Sequence, residues 1–178
     1  MTTELVDPSD WADVTKQIDG EFGDGITKSL LGDCAPISMK RGEATSFYIV
    51  PMEWINRIGD YEQYEIQSMG ERLGDLVRGR FRFSLQILDS LVDLTDRVIV
   101  VSGKGAEAFT YGRSILKESV FDLDSRLKRG QRVLVLNKDR ECIGLAVLSV
   151  DGSKLNRLAK EKLVAKNLVD IGAYVRGA

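Results

Sequence analysis

The feature that most constrains the fold is a series of short apolar runs in the second half of the chain. Residues 98–101, 133–136 and 143–148 each have the length and composition of a strand, and each is bounded by turn-forming Gly, Asn or Asp. The link at residues 137–140 has the length of a hairpin connection. Several short strands within about 80 residues predict a small β-barrel.

The first half of the chain begins with an amphipathic helix. Trp11, Val14 and Ile18 recur at helical spacing after a capping sequence that contains a proline. This spacing predicts a helix over residues 8–19 that ends at Gly20.

A strand and a second helix are predicted next. Residues 46–50 form a β-branched and aromatic run, and Pro51 then opens a helix that ends at Gly59. The residues of this helix expected to face the core are Met52, Ile55 and Ile58.

A further strand is predicted at residues 81–87, where apolar and polar side chains alternate. A capped turn at residues 89–94 follows it. The fold class is therefore α+β, with an N-terminal antiparallel sheet and helices followed by a β pseudo-barrel.

The charge balance also differs between the two halves of the chain. Residues 1–94 hold nine Lys and Arg against 17 Asp and Glu, a balance of −8, whereas residues 95–178 hold 16 against 10, a balance of +6. We therefore expect an acidic domain over 1–94 and a basic domain over 95–178 whose partner is a polyanion. The alternative is two solvated surfaces that differ by chance.

Composition argues against several classes of activity. Histidine is absent, which removes the commonest general base and every metal site built on imidazole. Cys34 and Cys142 are far apart and form no C-x-x-C pair. We expect no catalytic residues, metal or cofactor. Because no long apolar run or secretion signal is seen, we also expect no membrane association and a cytoplasmic, monomeric protein.

Residues 105–117 are predicted to form a compact helical segment after a strand. Gly105 and Gly112 suit a close approach of the backbone to RNA, or else a turn and a helix end. Arg113 and Lys117 lie four apart and would share a helical face, which either meets phosphates or is solvated.

The richest basic stretch lies near the C-terminus. Extended geometry would place Lys160, Lys162 and Lys166 on one face of the last strand, with Val164 as an apolar interruption. The alternative is an edge strand protected from aggregation by lysines. The candidate RNA-binding residues are Arg157, Lys160, Lys162, Lys166, Arg113, Lys117 and Lys154. Four such contacts with single-stranded RNA would give a salt slope of about 3.

Two tyrosines and one pair of aspartates are further candidate site residues. Tyr111 and Tyr174 lie near the basic stretch, either as base-stacking residues or as core or barrel-lid residues. Asp122 and Asp124 could share a metal or belong to a turn.

The ordered motifs of the chain resemble one protein family. G-A-E-A-F-T-Y-G-R at 105–113 and D-I-G-A-Y-V-R at 170–176 resemble the PUA domain of the Nip-seven group of large-subunit ribosome biogenesis factors, in its archaeal form. Segments 47–50, 68–74, 81–83 and 88–91 extend the resemblance over about residues 45–176.

The resemblance implies a function without catalysis. It implies a PUA domain that binds single-stranded A/U-rich RNA, pre-rRNA in particular, and an N-terminal domain that binds proteins. Implied partners are pre-ribosomal particles and the exosome or other assembly proteins, with a nucleolar location only in a eukaryote. The alternative is an RNA-modification system, with Asp89 or Asp93 as the carboxylates near a strand end.

Overall fold

The computed structural model describes residues 6–57 and 68–176. The chain forms two compact units, Met1–Ile87 and Leu88–Ala178. The first unit thus ends shortly before residue 94, where the charge balance changes sign. The α+β fold class predicted from the sequence is confirmed.

The first unit is a four-stranded antiparallel sheet with an N-terminal pair of helices. Its helices are α1 (Pro8–Phe22), α2 (Ile26–Leu31), α3 (Met52–Ile55) and α4 (Leu85–Leu88). Its strands are β1 (Cys34–Arg41), β2 (Ala44–Pro51), β3 (Glu71–Val77) and β4 (Arg80–Phe83), and they neighbour one another in that order.

Helix α1 packs its apolar side on one face of this sheet. Asp7 caps the helix by accepting from the backbone N–H of Ser9 and Asp10, and Val14, Ile18 and Phe22 are buried. The helix continues past Gly20, its predicted end, because burial of Phe22 against Phe83, at 5.3 Å between ring centroids, stabilises another turn.

The second predicted helix is only partly confirmed. Met52 is 56% exposed instead of facing the core, whereas Ile55 packs with the buried cluster of Ile37, Tyr48 and Val50. Ile58 and Gly59 lie outside the described residues.

The strand predicted at residues 81–87 is too long. Strand β4 ends at Phe83, and residues 85–88 form the helical turn α4. The apolar side chains of Ile87 and Leu88 are both buried although they are adjacent, which a strand with one buried face does not allow. Strand β1 and helix α2 were not predicted, because their glycine-rich surroundings hide any periodicity.

The second unit is a six-stranded, barrel-like sheet with two helices. Its strands are β5 (Val98–Val101), β6 (Ile115–Leu116), β7 (Val120–Leu123), β8 (Arg132–Leu136), β9 (Cys142–Leu148) and β10 (Leu163–Asp170), and its helices are α5 (Gly103–Thr110) and α6 (Ala173–Arg176). The strand order is β6-β10-β9-β8-β5-β7, and only the β5–β8 pair is parallel.

The core of this unit comes from the three runs that first predicted a barrel. Ile99 and Val101 of β5, Val133 and Val135 of β8, and Leu148 of β9 belong to one buried cluster. The predicted strands are confirmed to within one residue at each end, whereas the short strands β6 and β7 were missed. In the part of the chain that the structure describes, no helix has the length and apolarity needed to span a bilayer.

Candidate nucleic-acid interface

The candidate interface begins where α5 ends. The helix stops at Thr110 and Gly112 takes a φ of +85°, so the chain turns and enters β6. Arg113 therefore lies in a turn, and Lys117 follows β6 in a 3-10 turn. The prediction of one helical face for Arg113 and Lys117 is wrong, because the glycine ends the helix before either residue.

Gly105 serves packing inside the protein. It lies within α5 and is buried, and a Cβ there would come within 2.8 Å of the Ser119 Cβ and 3.0 Å of the Ser119 carbonyl oxygen. The close approach expected at this glycine is therefore made to the backbone of residue 119 rather than to RNA.

Backbone hydrogen bonds bring the two basic segments side by side. Lys117 N–H donates to the Lys162 carbonyl at 2.9 Å, and Glu118 N–H donates to the Lys160 carbonyl at 3.0 Å. The Asn167 side-chain amide reaches the carbonyls of Phe109 and Arg113 at 3.0 and 3.5 Å. The segment after α5 thus lies along β10 and the turn that precedes it.

Lys160 and Lys162 belong to that turn and not to the strand. Strand β10 begins at Leu163, and a register irregularity lies between Leu163 and Ala165. Val164 is fully buried, so it does not continue an exposed row of lysines. The predicted strand face of Lys160, Lys162 and Lys166 is wrong as a geometry, although all three side chains are exposed.

The candidate cations differ in their ion pairing. Lys154 is held by Asp151 at 2.9 Å, and both lie in or beside the 3-10 turn Gly152–Arg157. Within the described ranges, the other six candidates make no ion pair. They are Arg113, Lys117, Arg157, Lys160, Lys162 and Lys166. Glu118 and Glu161 are also exposed on these segments and reduce the positive charge locally.

An ion pair with a buried carboxylate fixes the end of the barrel beside these cations. Asp170 is 3% exposed, and its Oδ2 accepts from Arg176 Nη2 and from Asn167 Nδ2, both at 3.0 Å. Arg176 also donates to the Thr110 carbonyl at the end of α5. The arginine of the C-terminal motif therefore positions α6 against α5, a role that its place in the sequence did not indicate.

Large apolar side chains are exposed at this end of the unit. Tyr111 is 70% exposed and Tyr174 is 67% exposed, which rules out the alternative that they are core residues. Leu168 and Ile171, at 46% and 42%, flank the buried Asp170 and were missed because a strand residue of this type is ordinarily taken as core.

Two of the aspartates considered as chemical groups accept hydrogen bonds within the protein. The Asp124 carboxylate is bound by Arg126, and this hydrogen bond lowers the pKa of Asp124 below its usual value. Asp89 and Asp93 are exposed, and Asp89 accepts from the Cys142 N–H at 3.4 Å. Over residues 6–57 and 68–176, no group of three or more potential metal ligands occurs.

Comparison with known proteins identifies the second unit. The family model described as the UPF0113 PUA domain matches residues 97–178. A UPF0113 protein of Archaeoglobus fulgidus is 30% identical over 138 residues, which is 78% of this chain and 76% of the relative. The chain belongs to the UPF0113 family.

Solved structures support the same architecture for this UPF0113 protein. A hypothetical protein of Pyrococcus horikoshii superposes with a TM-score of 0.64 at 14% identity, covering 93% of this chain and 92% of the other. A conserved PUA domain protein of Thermoplasma acidophilum gives 0.61 at 11% identity, covering 97% and 96%. At these identities the likeness shows the fold. The relatives named are archaeal, which agrees with the archaeal form of the family that the sequence resembles. The basic unit of this UPF0113 protein is a PUA domain, a class that generally binds RNA.

Proposed function

We propose that this chain binds single-stranded RNA through the cationic face of its PUA domain. The observation that carries the proposal is the pairing of the Lys117–Glu118 backbone with the turn at residues 160–162. This pairing gathers cations from two separate segments, and none of the six has a carboxylate partner among the described residues. Cations without such partners are available to phosphates, which supply most of the affinity in this kind of binding.

The exposed tyrosines fit a role beside these cations. Tyr111 precedes the candidate cation Arg113 by two residues. Tyr174 precedes Arg176, which is paired with Asp170 and also donates to the Thr110 carbonyl beside Tyr111. Stacking of unpaired bases on an aromatic ring tolerates any sequence and requires single-stranded RNA. Phosphate contacts from the cations and stacking on the tyrosines together favour single strands. The A/U-rich sequence that we propose for them comes from the resemblance to the Nip-seven group.

The biological role that we propose is assembly of the large ribosomal subunit. The support is the ordered motif series shared with the Nip-seven group, together with membership of a PUA-containing family that has archaeal relatives. In this proposal the protein is a cytoplasmic binding factor and not an enzyme. Its partners are pre-rRNA and other assembly proteins.

An electrophoretic mobility assay with U-rich single-stranded RNA tests the RNA-binding proposal. The variant Lys160→Ala with Lys162→Ala removes two cations from the turn. Each lost phosphate contact lowers the slope of log K against log salt by about 0.7, so the double variant is expected to lower it by about 1.4.

A matched control removes two cations from another part of the same unit. Lys138 and Arg140 lie in the β8–β9 turn, where Arg140 has a φ of +63° that glycine tolerates. Lys138→Ala with Arg140→Gly is expected to leave the slope unchanged. Absence of binding by the wild-type protein at low salt, or equal losses in the two variants, would count against the proposed face.

The assembly role is tested in cells by crosslinking RNA to the protein and sequencing the attached RNA. Enrichment of large-subunit pre-rRNA is the expected result. Recovery of messenger RNA or tRNA alone would contradict this role while leaving RNA binding intact.

A further inference from the structure

The acidic first unit carries a concentrated group of cations on one hairpin. Four of the nine Lys and Arg of residues 1–94 lie in the β3–β4 hairpin, Glu71–Phe83, which has only two acidic residues. The hairpin therefore has a balance of +2 within a segment whose balance is −8. A local reversal of sign of this kind marks a candidate contact for a polyanion.

Packing of the phenylalanines fixes where two of these arginines point. Phe81 and Phe83 lie 5.0 Å apart between ring centroids, and Phe81 also contacts Phe47 on the face that α1 covers. Side chains alternate along a strand, so Arg80 and Arg82 project from the opposite face, where both are exposed. The two acidic residues that line the cleft beside Gly79, Asp13 and Glu21, belong to α1 and thus to the other face.

Neither Arg80 nor Arg82 is neutralised by its neighbours. Arg80 lies opposite Val77, which has no charge. Arg82 lies opposite Asp75, but that carboxylate already accepts from Arg72 at 2.7 Å and from the Ser46 hydroxyl at 2.7 Å. In the described residues no ion pair involves Arg80 or Arg82.

A side chain of α1 occupies part of the outer edge of β4. The Gln17 side chain donates to the Gly79 carbonyl at 3.2 Å and accepts from the Phe81 N–H at 2.9 Å. The Phe81 N–H is one of the outward backbone groups with which an added strand would pair, and the Gly79 carbonyl lies in the adjoining turn. Arg80 and Arg82 are exposed on this strand, and their planar guanidinium groups suit phosphates.

We infer that Arg80 and Arg82 form a second RNA contact, by which the N-terminal unit binds the phosphate backbone of the strand held by the PUA domain. The inference rests on the proposed function, because the second contact is useful only to a chain that already binds RNA. A second point of attachment raises affinity only when the RNA is long enough to reach both sites.

The test measures binding of oligouridylates of increasing length by the full chain and its variants. Arg80→Gln with Arg82→Gln is expected to match the wild type on short RNA. On long RNA it is expected to lower the salt slope by about 1.4, for two lost contacts with a single strand. Crosslinking of 4-thiouridine-containing RNA, followed by peptide mapping, is expected to label the β3–β4 hairpin only with the long RNA.

The matched control is Lys28→Gln with Arg57→Gln, which removes two other exposed cations from the same unit and is expected to change nothing. A wild-type slope for the Arg80 and Arg82 variant at every length, with no crosslink to the hairpin, would overturn this inference and leave PUA binding standing. Failure of the wild-type protein to bind any RNA would overturn the proposed function and, with it, this inference.

Discussion

Substitution of Arg176 gives the sharpest test of how the C-terminal motif supports the PUA domain. Asp170 is 3% exposed, and its Oδ1 has no hydrogen-bond partner among the described residues. Its charge is therefore compensated mainly by Arg176, whose Nη2 lies 3.0 Å from Oδ2. Arg176→Met removes that charge and also the hydrogen bond to the Thr110 carbonyl.

The expected loss follows from the burial of the pair. Removal of one partner of a buried ion pair costs about 3–5 kcal/mol of unfolding free energy. The Arg176 side chain is 36% exposed, so solvent screens part of the interaction and the lower end, about 3 kcal/mol, applies. For a domain of this size, that loss lowers the melting temperature by about 15 °C.

The assay can follow each unit separately. Both tryptophans of the chain, Trp11 and Trp54, lie in the first unit, so their fluorescence reports on that unit alone. Amide hydrogen exchange in α5 and β10 reports on the second unit. Urea titration with both measurements is expected to show a loss of stability in the second unit.

Two further variants test whether the unpaired charge of Asp170 causes the loss of stability. Adding Asp170→Asn to Arg176→Met removes the buried charge and is expected to restore about half of the lost stability. Arg157→Met, which removes an exposed cation without an ion pair, is the matched control. The reasoning would be refuted if Arg176→Met were as stable as the wild type, or if the double variant were less stable than the single one.

Three further outcomes follow from the structure. Lys154→Ala is expected to weaken RNA binding less than Lys160→Ala, because Asp151 already compensates Lys154; equal effects in a mobility assay would contradict this. Burial raises the pKa of Cys142 to about 11, so little of its thiol is ionised at pH 8. Alkylation of Cys142 is expected to be slow until urea unfolds the unit. Rapid labelling of the native protein, measured by mass spectrometry, would contradict the burial. Gln17→Leu leaves the Gly79 carbonyl and the Phe81 N–H without their partner. It is expected to lower the free energy of unfolding by about 1–3 kcal/mol, measured by tryptophan fluorescence during urea unfolding. An unchanged midpoint would show that water replaces the side chain.

The predicted elements succeeded where a local pattern matched its tertiary surroundings. The three runs of the barrel were found because each is a strand buried in one core, bounded by turn residues. The strand at residues 81–87 was extended too far, because the alternation continues through residues that in fact form a helical turn. Strands β6 and β7 have two and four residues, too few to give a periodic signal against their partners.

The sequence predicted which residues belong to the candidate site, but the predicted local geometry of these residues is wrong. Arg113 and Lys117 were assigned a shared helix, and Lys160 and Lys162 a strand, yet all of them belong to turns or short segments. The sequence does not show which residues form ion pairs. Lys154, which Asp151 neutralises, was therefore predicted together with cations that have no such partner.

The sequence by itself determined the class of fold, the separation of charge between the halves, and the family-specific motifs, because these depend on local residue order and counting. Only the tertiary structure decided which cations lie together, since a hydrogen bond from residue 117 to residue 162 joins segments that are distant in the chain. It also decided that Arg176 compensates a buried carboxylate and that Arg80 and Arg82 face away from the helix. Those roles depend on burial and register, which arise only when the strands pair.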